Sequence, residues 1–306
     1  MFMNKIALGC HNLTGGSSYR RSERLVHCAL DLGIRRFDVA PSYGLGTAEN
    51  TLAKALGRRR LDPEVDITTK FGIAPPKYGP LLAWFREPYR SLRGRCKSAS
   101  LPITRQASAS SAGWKKSAKA AASASLINMN LDRLGGLLTH ERLPSEVTNH
   151  IRDELAELIH VGRIGRAGCS GEIENVSAML DNINGVASIA QISVLDRHCA
   201  PDIAEKRYFQ LGHLATRILE GEDMLAPALK KILSGVDYLN DVGLAYAYVL
   251  ACLRHHSPDI VCIVNASNCE RLSALLKGSE DPRIQAIALT NGNWVLEKSP
   301  IVSRAR

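Results

Sequence analysis

The feature that most constrains this chain is a repeated alternation of short apolar runs with longer segments whose apolar residues recur every three or four positions. Lys5 to Gly9 is a run of strand length. Ser22 to Leu32 follows, with Leu25, Val26, Ala29 and Leu30 on one helical face, and Gly33 stops it. Ile34 to Val39 and Thr47 to Leu56, closed by Gly57, repeat the pair. Further strands are predicted at Val65 to Lys70, Leu134 to Thr139, Gly165 to Cys169, Val186 to Ser193, Arg207 to Leu211 and Ile260 to Val264. Helices fall at Ser145 to Val161, Glu172 to Leu180, Val242 to Leu253 and, as the last, Cys269 to Leu276. Eight strand-then-helix units in 306 residues favour an α/β fold of the closed (β/α)8 barrel type over an open doubly wound sheet.

The barrel is expected to be a single domain over residues 1–306, with two irregularities. An Ala/Ser-rich insertion of about residues 73–125 lies between strands 3 and 4, as a mobile lid or a solvated helix. A tail follows at 279–306. Trp84, Phe85 and Tyr89 could wall a pocket or pin that loop. No G-x-G-x-x-G opens a helix after the first strand, which argues against a Rossmann site. The formal charge of +9 is gathered in local clusters, such as Arg58 to Arg60 and the stretch from Arg86 to Lys119, without the aromatic interleaving of RNA readers. A phosphate-bearing small ligand explains it more economically than nucleic acid. The eight cysteines form no C-x-x-C pair, so neither a zinc cage nor a redox dithiol is suggested, and Cys28, Cys169 and Cys262 read as small core residues. No apolar run approaches the roughly 18 residues that cross a bilayer. The first residues lack the pattern of a secretory signal, so no membrane partner and a cytoplasmic location are expected.

In such barrels, functional side chains sit at the strand C-termini, which is where Asp38, Lys70, His140, Ser170 and Asn265 fall. Tyr43 follows Asp38 by five residues. A free tyrosine titrates near ~10, and an adjacent ammonium stabilises its phenolate and lowers that value. Lys70 would be that cation, Asp38 would hold it by a charge-assisted hydrogen bond, and His140 would orient a carbonyl or share its proton. Singly, each residue has an ordinary reading as a cap, a rim residue, a solvated lysine or a core histidine. Their joint occurrence at strand ends favours chemistry.

These segments resemble the aldo-keto reductases. Ile34 to Glu49 is similar to the family signature around its catalytic Asp and Tyr, Thr69-Lys70-Phe71-Gly72 to its lysine strand, and Leu137-Leu138-Thr139-His140-Glu141 to its histidine strand. Gly162 to Gly171 resembles the approach to the fifth strand, whose terminal Ser, here Ser170, contacts the nicotinamide amide. The resemblance implies an NADP-dependent oxidoreductase acting on an aldehyde, ketone or aldose without metal. Asp38, Tyr43, Lys70 and His140 would be its catalytic residues. Its small-molecule substrate would be a carbonyl compound or sugar, and a monomer is compatible with it.

Ile263 to Leu272 is similar to the family's last strand and following helix, which hold the adenosine 2′-phosphate. That makes Asn265, Ser267, Asn268 and Arg271 cofactor candidates, together with Gln191 at the end of strand six. Arg271 favours NADP(H), with NAD(H) still open, because Asn265 and Leu275 depart from the family pattern. A second departure is the run Gln191 to Arg197, which lacks the ring that stacks on nicotinamide; no aromatic follows before Tyr208. His198, His255 and His256 fit no ligand spacing. Two rival readings remain: a non-catalytic, nucleotide-sensing subunit on the same barrel, and a lyase using Lys70 as a Schiff-base amine, which Asp38 would oppose by keeping the lysine charged.

Overall fold

The computed structural model describes residues 2–84, 117–194, 206–212, 229–230, 236, 239–256 and 260–297. Eight parallel strands run in sequence order around a closed barrel: β1 (Ile6–Gly9), β2 (Arg36–Asp38), β3 (Asp66–Phe71), β4 (Gly136–His140), β5 (Ala167–Ser170), β6 (Ala187–Ser193), β7 (Lys206–Gln210) and β8 (Ile260–Val264). The seam closes where Ala7 pairs with Ile263 and Leu8 with Val264. Closure leaves no edge strand to protect.

Successive strand side chains point to opposite faces, and this divides the core in two. Ile6 and Leu8 join Phe37, Ile67 and Leu137 in the large shell beneath the helices, while Ala7, Leu138, Ile189, Tyr208, Val261 and Ile263 form a separate small cluster inside the barrel. The helices covering the strands are α1 (Tyr19–Asp31), α2 (Ala48–Leu56), α3 (Ala118–Met129), α4 (Asn149–His160), α5 (Ile173–Asn182), α6 (Asp241–His256), α7 (Cys269–Ser279) and α8 (Pro282–Glu297). At the N-terminal end of the strands, Asp66 accepts hydrogen bonds from Arg36 at 2.8 Å and from Arg166 at 2.5 Å. Arg36 also donates to the Tyr208 hydroxyl at 3.1 Å.

Three expectations change. The alanine-rich segment is, over α3, neither a lid nor a solvated helix. Ala118, Ala121, Ala122, Ser125, Leu126 and Met129 are buried, Ser117 caps the helix by accepting from the Ala120 amide, and Glu154 of α4 accepts from the Ala118 amide. The remainder of the expected insertion, with Phe85 and Tyr89, lies outside the described residues; Trp84 is largely exposed. Cys269 to Leu276 is not the last helix, because α8 follows and buries Ile284 and Ala288. Cys28 is not a free core thiol: it forms a disulfide with Cys269, 241 residues away, with a Cα–Cα distance of 5.7 Å.

Candidate active site

The C-terminal ends of the strands bring the four expected polar groups together. Lys70 points into the barrel because its neighbour Thr69 points out, where the threonine hydroxyl donates to Glu49 of α2 at 2.7 Å. Fully buried, the Lys70 ammonium donates to both carboxylate oxygens of Asp38, at 2.7 and 2.6 Å, and to the Tyr43 hydroxyl oxygen at 3.2 Å. Tyr43 begins a tight turn, Tyr43–Gly46, in which Gly44 has φ +57 and a Cβ would lie 1.8 Å from the Leu13 carbonyl oxygen. Only glycine fits there, and the turn directs the phenol back over the strand ends. His140 stands edge-on to Tyr43 from the other side, with ring centroids 5.6 Å apart.

Burial disfavours the Lys70 ammonium, yet Asp38 and Tyr43 together outweigh it and hold the lysine above its ordinary pKa. A lysine kept charged is a poor Schiff-base nucleophile. Burial raises the Tyr43 pKa, Lys70 pulls it down and Asp38 pushes it up; the net direction is upward from 10. The expected acidification by Lys70 is therefore present but overcome, because loss of water penalises the phenolate more than one shared ammonium compensates. Burial, with Lys70 and then His11 adding to it, pushes His140 down to about 3, so its imidazole is neutral. Its Nδ1 has no partner among the described residues. Proton sharing by a His140 imidazolium is therefore disfavoured, whereas a neutral ring can still orient a ligand oxygen.

Ser170 pairs with His140 on one side and Gln191 on the other, so three polar side chains follow one another around the rim. Gln191 is fully buried and leans toward Asp38 at 3.5 Å, and its Oε1 has no partner among the described residues. Asn265 follows β8, and its buried Oδ1 is likewise unmatched; Gly9 leaves room for it, since a Cβ there would lie 2.1 Å from that oxygen. Unmatched buried acceptors cost free energy unless a ligand donates to them, and a carboxamide is one group that can. Ser267, Asn268 and Arg271 gather at the start of α7. Arg271 donates to the Ser267 hydroxyl at 3.0 Å, and the Asn268 side chain caps the helix by accepting from the Arg271 amide at 3.0 Å. A polar helix start with an exposed guanidinium suits a phosphate. The expected site residues thus fall into a Tyr43 centre, the Gln191 and Ser170 rim, and a second cluster at α7.

Tyr208 does not supply the missing stacking ring, since its hydroxyl belongs to the Arg36 group at the opposite end of the barrel. Asp196, Arg197 and His198 lie outside the described residues. The sequence reading missed two neighbours of the site. His11, just past β1, packs edge-on against Tyr43 at 5.1 Å, and Arg21 of α1 donates to the Ser267 carbonyl at 3.0 Å. The rule that strand C-termini carry chemistry applies equally to β1 and points to His11; nothing local marks Arg21. Among the described residues, no three His, Cys, Asp or Glu side chains group as metal ligands.

The model of the Aldo/keto reductase family matches residues 5–212. No curated protein matches the chain by sequence. Among solved structures, an aldo-keto reductase from Bacillus halodurans, in its holo form, superposes with a TM-score of 0.62 at 18% identity, covering 96% of this chain and 91% of that one. A thermostable aldo-keto reductase in complex with the inhibitor epalrestat gives 0.58 at 17% identity, covering 94% of each chain. Likeness at such identity speaks for the fold.

Proposed function

The chain belongs to the aldo/keto reductase family of oxidoreductases, and from that premise we propose that it interconverts a carbonyl and an alcohol with NADP(H), using Tyr43 as general acid and base. The observation that carries the reading is the 3.2 Å hydrogen bond from the Lys70 ammonium to the Tyr43 hydroxyl, inside a pocket where Asp38 keeps that ammonium charged. When bound, the nicotinamide supplies a hydride to the carbonyl carbon or removes one from the alcohol.

In the reducing direction, Tyr43 donates its proton to the carbonyl oxygen. Its raised pKa keeps that proton in place at neutral pH, and the Lys70 N–H, already aimed at the phenol oxygen, stabilises the phenolate as it forms. Asp38 fixes the ammonium with two charge-assisted bonds, so little reorganisation accompanies the transfer. Neutral His140 lies beside the ring and is placed to donate a hydrogen bond to the same oxygen, which orients the carbonyl before reaction. Ser170 and Gln191 are assigned to the nicotinamide end, and Asn265, Ser267, Asn268 and Arg271 to the adenosine 2′-phosphate end. The substrate is an aldehyde, ketone or aldose. No helix among the described residues is long and apolar enough to cross a membrane, and a cytoplasmic location belongs to the same proposal.

The test is fluorescence titration with NADPH and NADH, followed by turnover on a panel of aldehydes, ketones and aldoses. Tyr43→Phe is expected to bind NADPH as wild type does and to lose about 10²- to 10⁴-fold in kcat. Binding without turnover on any substrate would favour a nucleotide-sensing role on the same barrel. Failure to bind either nucleotide would remove both readings.

A further inference from the structure

We propose that Cys28 and Cys269 form a thiol–disulfide exchange site whose oxidation state sets how tightly the chain grips the 2′-phosphate of its dinucleotide, an inference that rests on the NADP(H) reading above. The bond joins the last turn of α1 to the first residue of α7. Cys269 immediately follows the capping residue Asn268 and lies two positions from both Ser267 and Arg271, so the covalent anchor sits within the candidate phosphate cradle itself. The same face of α1 holds the cradle a second time. Arg21, seven residues before Cys28 and hence two helical turns away, donates to the Ser267 carbonyl at 3.0 Å. That contact is solvent-exposed, and a single exposed hydrogen bond orders a loop weakly. The disulfide is the stronger of the two ties.

The surroundings suit exchange. Cys269 is half-buried, whereas Cys28 is 8% exposed, so an incoming thiolate meets Cys269 first. The Ser273 hydroxyl lies 3.8 Å from the Cys269 sulfur and 3.9 Å from the Cys28 sulfur, close enough to donate to whichever sulfur leaves as thiolate. Cys269 also occupies the N-terminus of an 11-residue helix, where a thiolate is stabilised. A dithiol reductant would attack the Cys269 sulfur, form a mixed disulfide and expel Cys28 as a thiolate, which takes up a proton. The second thiol of the reductant would then displace Cys269. Two protein thiols and one oxidised dithiol result, with two electrons transferred. In a reducing compartment, disulfides that persist at all are chiefly transient or redox-sensing.

The experiment uses the full chain in two states, oxidised with the 28–269 crosslink verified by peptide mapping, and reduced with excess dithiol. Each is titrated with NADPH and with NADH. Reduction is expected to raise the Kd for NADPH about tenfold, within the usual span of coupling between sites, and to change that for NADH less than about twofold, because NADH lacks the 2′-phosphate. Reoxidation should restore the affinity. The Cys28→Ser, Cys269→Ser double variant should stay in the weak state whatever the reductant. Equal NADPH affinity in the two states, or an equal loss for both nucleotides, overturns the coupling and leaves the dinucleotide reading standing. No binding of either nucleotide in either state overturns both. Absence of the crosslink after oxidation removes the exchange site outright.

Discussion

At the scale of single residues, Tyr43 is held between opposing influences, and their balance predicts a pH profile. Burial, the largest, keeps the proton on; Lys70 favours its loss; the sum lies above the ordinary phenol value. The folded protein therefore keeps the acid form through neutral pH. The kcat/KM for carbonyl reduction is expected to stay level through neutral pH and to fall only above the range where an ordinary phenol titrates, while that for alcohol oxidation, which needs the phenolate, rises over the same region. Lys70→Met removes the cation that, among the described residues, lowers the Tyr43 pKa, so its inflection should move to still higher pH and its kcat at pH 7 drop by about 10²-fold or more. Paired pH profiles of wild type and variant decide this, and an inflection shifted downward would sink the assignment. The four side chains were legible in the sequence because Asp38, Lys70 and His140 end apolar strands and Tyr43 follows one closely. The direction of the Tyr43 shift was not legible, because it depends on how much water the folded barrel removes, and no spacing encodes that.

At the scale of elements, the meeting of β1 and β8 shows how backbone positions the side chain of Asn265, a proposed cofactor contact. Gly9 ends β1 where Asn265 leaves β8, and the Asn265 oxygen occupies the space a Cβ would take. Gly9→Ala forces that carboxamide aside, an overpacking of the kind that costs about 1–3 kcal/mol. The Kd for NADPH should rise about tenfold, and pairing the change with Asn265→Ala should relieve any loss of thermal stability without restoring affinity. Nucleotide titration beside thermal melts of both variants checks it; unaltered affinity in Gly9→Ala would show that Asn265 does not touch the ligand. Elements with strong apolar contrast, such as α1 and β8, could be read directly from the sequence. Helix α3 could not, because alanine and serine fill both its buried and its exposed faces, so burial leaves no periodic mark. The Cys28–Cys269 pair was hidden for another reason. Its partners lie 241 residues apart, and only closure of β8 onto β1 brings their helices side by side.

Taken as a whole molecule, the barrel has two ends with different duties, and the end away from Tyr43 offers the cleanest separation of stability from chemistry. There Asp66 of β3 bridges Arg36 of β2 and Arg166 beside β5, and Arg36 continues to Tyr208 of β7, so one carboxylate links strands around much of the circumference. All three charged side chains are mostly buried, at 20%, 19% and 16% exposure for Arg36, Asp66 and Arg166. Asp66→Asn keeps the shape but removes the carboxylate charge that the Arg36 and Arg166 guanidiniums share in a poorly solvated place. A loss of this kind costs about 3 kcal/mol or more when the pair is buried, and the partial exposure puts the expectation at about 2–3 kcal/mol. The Asp38, Tyr43 and Lys70 cluster sits at the opposite end of the strands, and charges that far apart couple weakly through a protein interior. Asp66→Asn should therefore unfold at a lower denaturant midpoint while its kcat at 25 °C stays within about twofold of wild type. A variant as stable as wild type would show that the carboxylate is dispensable to barrel closure. One that stays folded yet loses turnover would show that the two ends are coupled.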